Sequence, residues 1–180
     1  MLKRLKKYLK SLKFCNSSTE LLPKLIENNE KIARSIFSPA NFNKNGSINA
    51  NTFKSPVGID EVSVNRLSYT SADKCKQLSK RIEQPNNRRK YFGIAILNAI
   101  EIRDIDADII YSPILVPLEE RNIFHSDIII GYIKQKVKVG EQGIPLPSEI
   151  SYKIKELTKK ARLYKDPSPN SNEWTGSVLE

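Results

Sequence analysis

Two hydrophobic periodicities, one helical and one extended, divide this chain. Residues 1–14 set Leu2, Leu5, Leu9 and Leu12 at helical spacing among lysines, the pattern of a basic amphipathic helix or helix-prone arm. Ile32, Ala33, Ile36 and Phe37 fit the inner face of a further helix, capped by Asn28 or Asn29 and stopped at Ser38-Pro39. Residues 40–60 are polar and rich in Asn and Ser. They read as a long loop with a short strand near 48–53. Glu61 to Tyr69 reads as a strand. Thr70 with Asp73 suggests a capping box for a helix over 71–83, whose stripe is Ala72, Cys75, Leu78 and Ile82.

The pattern then changes. Tyr91 to Ile102 is almost wholly apolar, as expected of a central strand buried on both faces. Asp108 to Val116 is a strand interrupted or moved to an edge by Pro113. His125 to Ile133 is the next, and Lys134 to Val139 continues it with clean alternation. Ile150, Ile154, Leu157, Ala161 and Tyr164 make one face of a helix over 148–164. Short links between the strands favour antiparallel pairing. The expected fold is α+β: a mostly antiparallel sheet of four to six strands flanked by helices, with the basic arm ahead of it. The expected organisation is an arm over 1–27, one domain over 28–165 and a polar C-terminal tail over 166–180.

Charge adds to this picture. Lys and Arg outnumber Asp and Glu by 30 to 20, for a formal net charge of +10. An AT-rich genome gives Lys-rich proteins of this kind, but the placement is uneven. Lys3, Arg4, Lys6, Lys7, Lys10 and Lys13 precede the first acid, Glu20. Arg88, Arg89 and Lys90 form a basic turn, and Lys134, Lys136 and Lys138 share one strand face. Such clusters can follow a phosphate backbone, although lysines on an exposed strand also discourage edge-to-edge pairing. The arm has three readings: leucines packed on the domain, contact with nucleic acid, or, less favoured, contact with an anionic membrane surface. No apolar run reaches transmembrane length and no signal-peptide core is present. Cys15 and Cys75 lack metal-ligand spacing, so a cytoplasmic protein with free thiols is expected.

Candidate chemistry centres on the only histidine. His125 and Asp127 point to the same face of a strand, about 7 Å apart by the strand rise. Histidine titrates in the range that general acid–base catalysis needs. With Arg66 as an anion clamp and Tyr69 as a donor, His125 and Asp127 would make a metal-independent nuclease or phosphotransfer site. The structural alternatives are a backbone bond for His125 and a salt bridge from Arg66 to Glu61, Asp104 or Asp106. Ser63, Ser68, Tyr69 and Cys75 are the possible nucleophiles. No metal site is expected, since there is no second histidine and cysteine is scarce, and no cofactor, since Gly-rich phosphate loops and Rossmann patterns are absent. The chain resembles no family closely enough to name one. The leading functional expectation is a non-enzymatic module that binds a polyanion, RNA or DNA. The nuclease reading and an adaptor that binds an acidic protein surface are the alternatives. Oligomeric state has no sequence signal.

Overall fold

A computed structural model describes residues 21–43, 45–56, 59–84, 89–131 and 148–180. The described elements are strands β1 (Lys31–Ser38) and β2 (Glu61–Arg66), helix α1 (Ala72–Lys80), strand β3 (Lys90–Asn98), helix α2 (Ala99–Arg103), strands β4 (Asp108–Tyr111) and β5 (His125–Ile129), helix α3 (Ser148–Lys160) and strand β6 (Arg162–Lys165). The six strands form one sheet in the order β4-β5-β2-β1-β3-β6, and every neighbouring pair is antiparallel. This is the expected α+β architecture.

Both faces of the sheet are covered. On one, Ile32, Ile36, Val62, Val64, Leu97 and Ile128 pack with Ile102 of α2 and with Ile150, Ile154 and Leu157 of α3. On the other, Ala33, Phe37, Tyr91, Ile94 and Ile96 pack with Cys75 of α1. That two-sided burial explains the main departure from the sequence expectation. Ile32, Ala33, Ile36 and Phe37 lie in strand β1, not in a helix. Their spacing of one, three and one fits a helix face, and equally a strand that sends 32 and 36 to one layer and 33 and 37 to the other.

Other boundaries move for local reasons. Ser71, not Thr70, caps α1, its side chain accepting from the Lys74 amide. The apolar run from Tyr91 leaves the sheet at Asn98 and closes as the short helix α2, where the Glu101 carboxylate accepts the Asn98 amide at 2.6 Å. α3 ends at Lys160, so Leu163 and Tyr164 belong to β6. β6 sits so close to β3 that a Cβ on Gly93 would collide with the Tyr164 carbonyl oxygen. The region near 48–53 holds an isolated bridge, Phe42 to Ile48, and a single 3-10 turn over Ala50–Thr52.

The segments on either side of the expected domain are tied to it. Ile26 lies in the core, and residues 166–180 return over α1 with Trp174 and Leu179 against the second apolar layer. The anchor is Lys76. Its ammonium is fully buried, 2.7 Å from the Asp166 carboxylate, and donates to the Ser168 and Glu173 carbonyls and the Ser171 hydroxyl.

Candidate functional site

The two halves of the expected catalytic set lie on opposite faces of the sheet. β2 and β5 pair with Asn65 opposite His125 and Ser63 opposite Asp127, so those four residues share one face. Arg66, next in sequence to Asn65, points to the other face. There Arg66 is wholly buried and makes a two-pronged pair with Glu30: Nε to Oε2 at 2.8 Å and Nη2 to Oε1 at 2.6 Å. It also donates to the carbonyls of Pro23 and Leu25. The rings of Tyr69 and Tyr111 stand 4.5 and 5.3 Å from the guanidinium carbon. The partner is therefore Glu30, not Glu61, Asp104 or Asp106, and these donors are committed to holding residues 22–30 against the sheet. An anion clamp shared with His125 is not formed.

His125 and Asp127 do meet. His125 Nε2 lies 3.7 Å from Asp127 Oδ1, about half the separation that the strand rise suggests, because the side chains lean together. Ser112, on the connection leaving β4, completes the group. Its hydroxyl donates to Asp127 Oδ2 at 2.5 Å, and its carbonyl lies 2.7 Å from His125 Nδ1. A carbonyl only accepts, so the proton of a neutral ring sits on Nδ1 and leaves Nε2 as an acceptor. In a catalytic triad the serine hydroxyl donates to the histidine, and the carboxylate holds the opposite ring nitrogen. Here Ser112 donates to the carboxylate instead, and its hydroxyl oxygen, 3.2 Å from His125 Nδ1, faces the ring nitrogen that carries the proton, so His125 is not a base toward Ser112 in this arrangement.

Sequence reading missed Arg34. β1 and β2 pair only at Ile32–Arg66 and Ala33–Asn65. Beyond that point the Arg34 side chain bridges the two sides, donating from Nε to the Thr52 carbonyl at 3.0 Å and from Nη1 to the Ser63 carbonyl at 2.5 Å. Burial, then the nearby charge of Arg89, lower its pKa to about 10, with Asp127 working in the opposite direction. The signal was present in the sequence: an arginine in the mostly apolar run from Ile32 to Phe37, broken otherwise only by Ser35, must find acceptors or a cleft.

A cavity of about 410 Å³ opens above these residues, between the end of α1, the sheet and the connection from β4 to β5. Arg34, Ser63, Asn65 and His125 line its sheet side. Asn122 extends that polar wall and donates to the Asn65 side chain at 2.7 Å.

The other candidates are placed as follows. Tyr69 is partly exposed beside Arg66, and Tyr91 is buried, so Tyr91 offers no stacking surface for a base. Ser68 accepts the Lys31 amide at 3.0 Å. Arg89 stacks on Phe37 at 4.3 Å, whereas Lys90 is exposed. Lys3, Arg4, Lys6, Lys7, Lys10, Lys13, Arg88, Lys134, Lys136 and Lys138 lie outside the described residues. Among the described residues no group of three or more His, Cys, Asp or Glu is placed to hold a metal ion, and no helix is long and apolar enough to cross a membrane.

Cys75 is a free thiol, and burial raises its pKa to about 12. As the thiolate is the reactive form, Cys75 is expected to stay unmodified by iodoacetamide at pH 8 in the folded protein and to react once urea unfolds it. Peptide mass spectrometry checks this apart from Cys15. Modification in the native state would show that α1 opens.

No family model, curated protein or solved structure matches this chain.

Proposed function

We propose that this is a non-enzymatic binding protein for a polyanion, single-stranded or duplex nucleic acid, acting in the cytoplasm. The observation that carries the reading is the clustering of basic residues along the sequence. Lys3, Arg4, Lys6, Lys7, Lys10 and Lys13 all precede the first acid, Glu20, and Arg88–Lys90 and Lys134, Lys136 and Lys138 form two further groups. A surface charged merely for solubility has its charge interspersed. Concentrated lysines and arginines displace counterions from phosphates, which is the main source of affinity for nucleic acid. Arg66 adds support by subtraction, because its pairing with Glu30 leaves the nuclease reading without its anion clamp. The buried free thiol of Cys75 suits a reducing compartment.

The test is fluorescence anisotropy with mixed-sequence RNA and DNA oligonucleotides over a salt series. Binding should weaken linearly on a log–log plot, with a slope of about −0.7 per phosphate contacted on a single strand. Changing Lys134, Lys136 and Lys138 together to Gln should reduce that slope by about one for each lost contact. Undetectable binding at low salt would overturn the reading, and binding only to an acidic protein or to anionic vesicles would replace it.

A further inference from the structure

We propose that the cleft between α1, the sheet and the β4–β5 connection binds a small organic anion with a flat apolar body, of the aromatic carboxylate class. This rests on the cleft alone and does not depend on nucleic-acid binding. A cavity of about 410 Å³ takes a single ring with its substituent. Part of its lining is apolar: Phe37, Leu78, Ile82 and Ile114. The lining also carries Arg34, whose guanidinium bonds only carbonyls and makes no ion pair among the described residues. Asp127, the acid that acts on Arg34, already accepts the Ser112 hydroxyl. The second nearby charge, Arg89, is of like sign. The floor therefore has positive charge in excess beside a low-dielectric wall, where an anion gains most.

The rim makes the apolar lining necessary. Arg81 lines the mouth, but so do the exposed carboxylates Glu119 and Glu120. These two acids offset the charges of Arg34 and Arg81, so charge alone does not hold a ligand and the apolar lining must contribute, which inorganic phosphate cannot use. A carboxylate brings one charge, and its ring covers Phe37 and Ile114. His125 Nε2, left as an acceptor by the Ser112 carbonyl, reports on the event at the edge of the cavity.

The experiment is a benzoate titration of the whole chain followed by NMR of the His125 imidazole, which needs no assignment because the chain has one histidine. Benzoate should shift the ring signals saturably, and inorganic phosphate at the same ionic strength should shift them far less. Arg34→Met should weaken benzoate binding at least about tenfold, the loss of one charge-assisted hydrogen bond. The exposed double change Glu119→Gln/Glu120→Gln keeps the fold testable should Arg34→Met fail to fold. It should tighten benzoate several-fold and admit phosphate. The proposal is overturned by an unmoved imidazole, by phosphate matching benzoate, by folded Arg34→Met binding as the parent does, or by unchanged affinity in the double variant.

Discussion

Arg66→Met should destabilise the protein by about 3–5 kcal/mol, the usual cost of removing one partner from a buried ion pair. The Glu30 carboxylate, only 6% exposed in its side chain, would keep its charge and lose the cation that compensates it. The carbonyls of Pro23 and Leu25 would lose their donor, and the rings of Tyr69 and Tyr111 would face an apolar chain instead of a guanidinium. Glu30→Gln should cost less, because a neutral amide still accepts from Arg66 but leaves the cation unpaired. The double change Glu30→Met/Arg66→Met should recover much of the loss, since no charge then remains buried. Urea denaturation of the four proteins measures the coupling. If Arg66→Met left stability unchanged and abolished ligand binding, Arg66 would be an anion clamp after all.

Lys76→Met should weaken the docking of residues 166–180 on α1, at a similar cost of about 3–5 kcal/mol. The ammonium has no solvent exposure and meets a carboxylate that is equally buried. Its three further bonds reach three points of the C-terminal segment, at Ser168, Ser171 and Glu173. Trp174, the only tryptophan, reports the event. Its backbone amide donates to Asp73 of α1 at 2.5 Å, so detachment should shift its fluorescence to the red and open the segment to proteases. Acid should produce the same change in the parent protein. Burial alone raises the Asp166 pKa, but hydrogen bonds from Lys76, the Ser168 amide and Thr175, with the Lys76 charge, outweigh it and hold the group below its ordinary 3.8. A depressed folded-state pKa gives stability that is present above 3.8 and is lost as pH falls through the lower folded value. In Lys76→Met only the upward push of burial and the two weaker bonds remain, so the segment should detach at higher pH than in the parent. A tryptophan signal independent of pH and of Lys76 would show that the segment is held by Leu179 and Trp174 packing instead.

The nucleic-acid and benzoate experiments probe different parts of the molecule. Neutralising Lys134, Lys136 and Lys138 should leave the cleft intact, and Arg34→Met should leave the salt slope for oligonucleotides nearly unchanged. The two bindings should therefore be separable by mutation.

The residue pattern by itself determined the class of the fold. Alternation and apolar runs placed strands near 61–69, 91–102, 108–116 and 125–133, and helices near 71–83 and 148–164, because burying a face requires a period of 2 or 3.6. It also located the charge, which needs only counting, and it required Arg66 to be paired or to reach a cleft. What it left open was decided in three dimensions. β1 was ambiguous because a strand covered on both sides puts apolar residues at positions that a helix face also uses. The separation of His125 from Arg66 follows from a register, Asn65 opposite His125, that hydrogen bonds between distant segments set. Glu30 as the partner of Arg66, Asp166 as the partner of Lys76 and the placing of Arg34 beside His125 all join residues far apart in sequence. Periodicity reports which face a residue takes. Which residue it meets there depends on how the strands are ordered across the sheet.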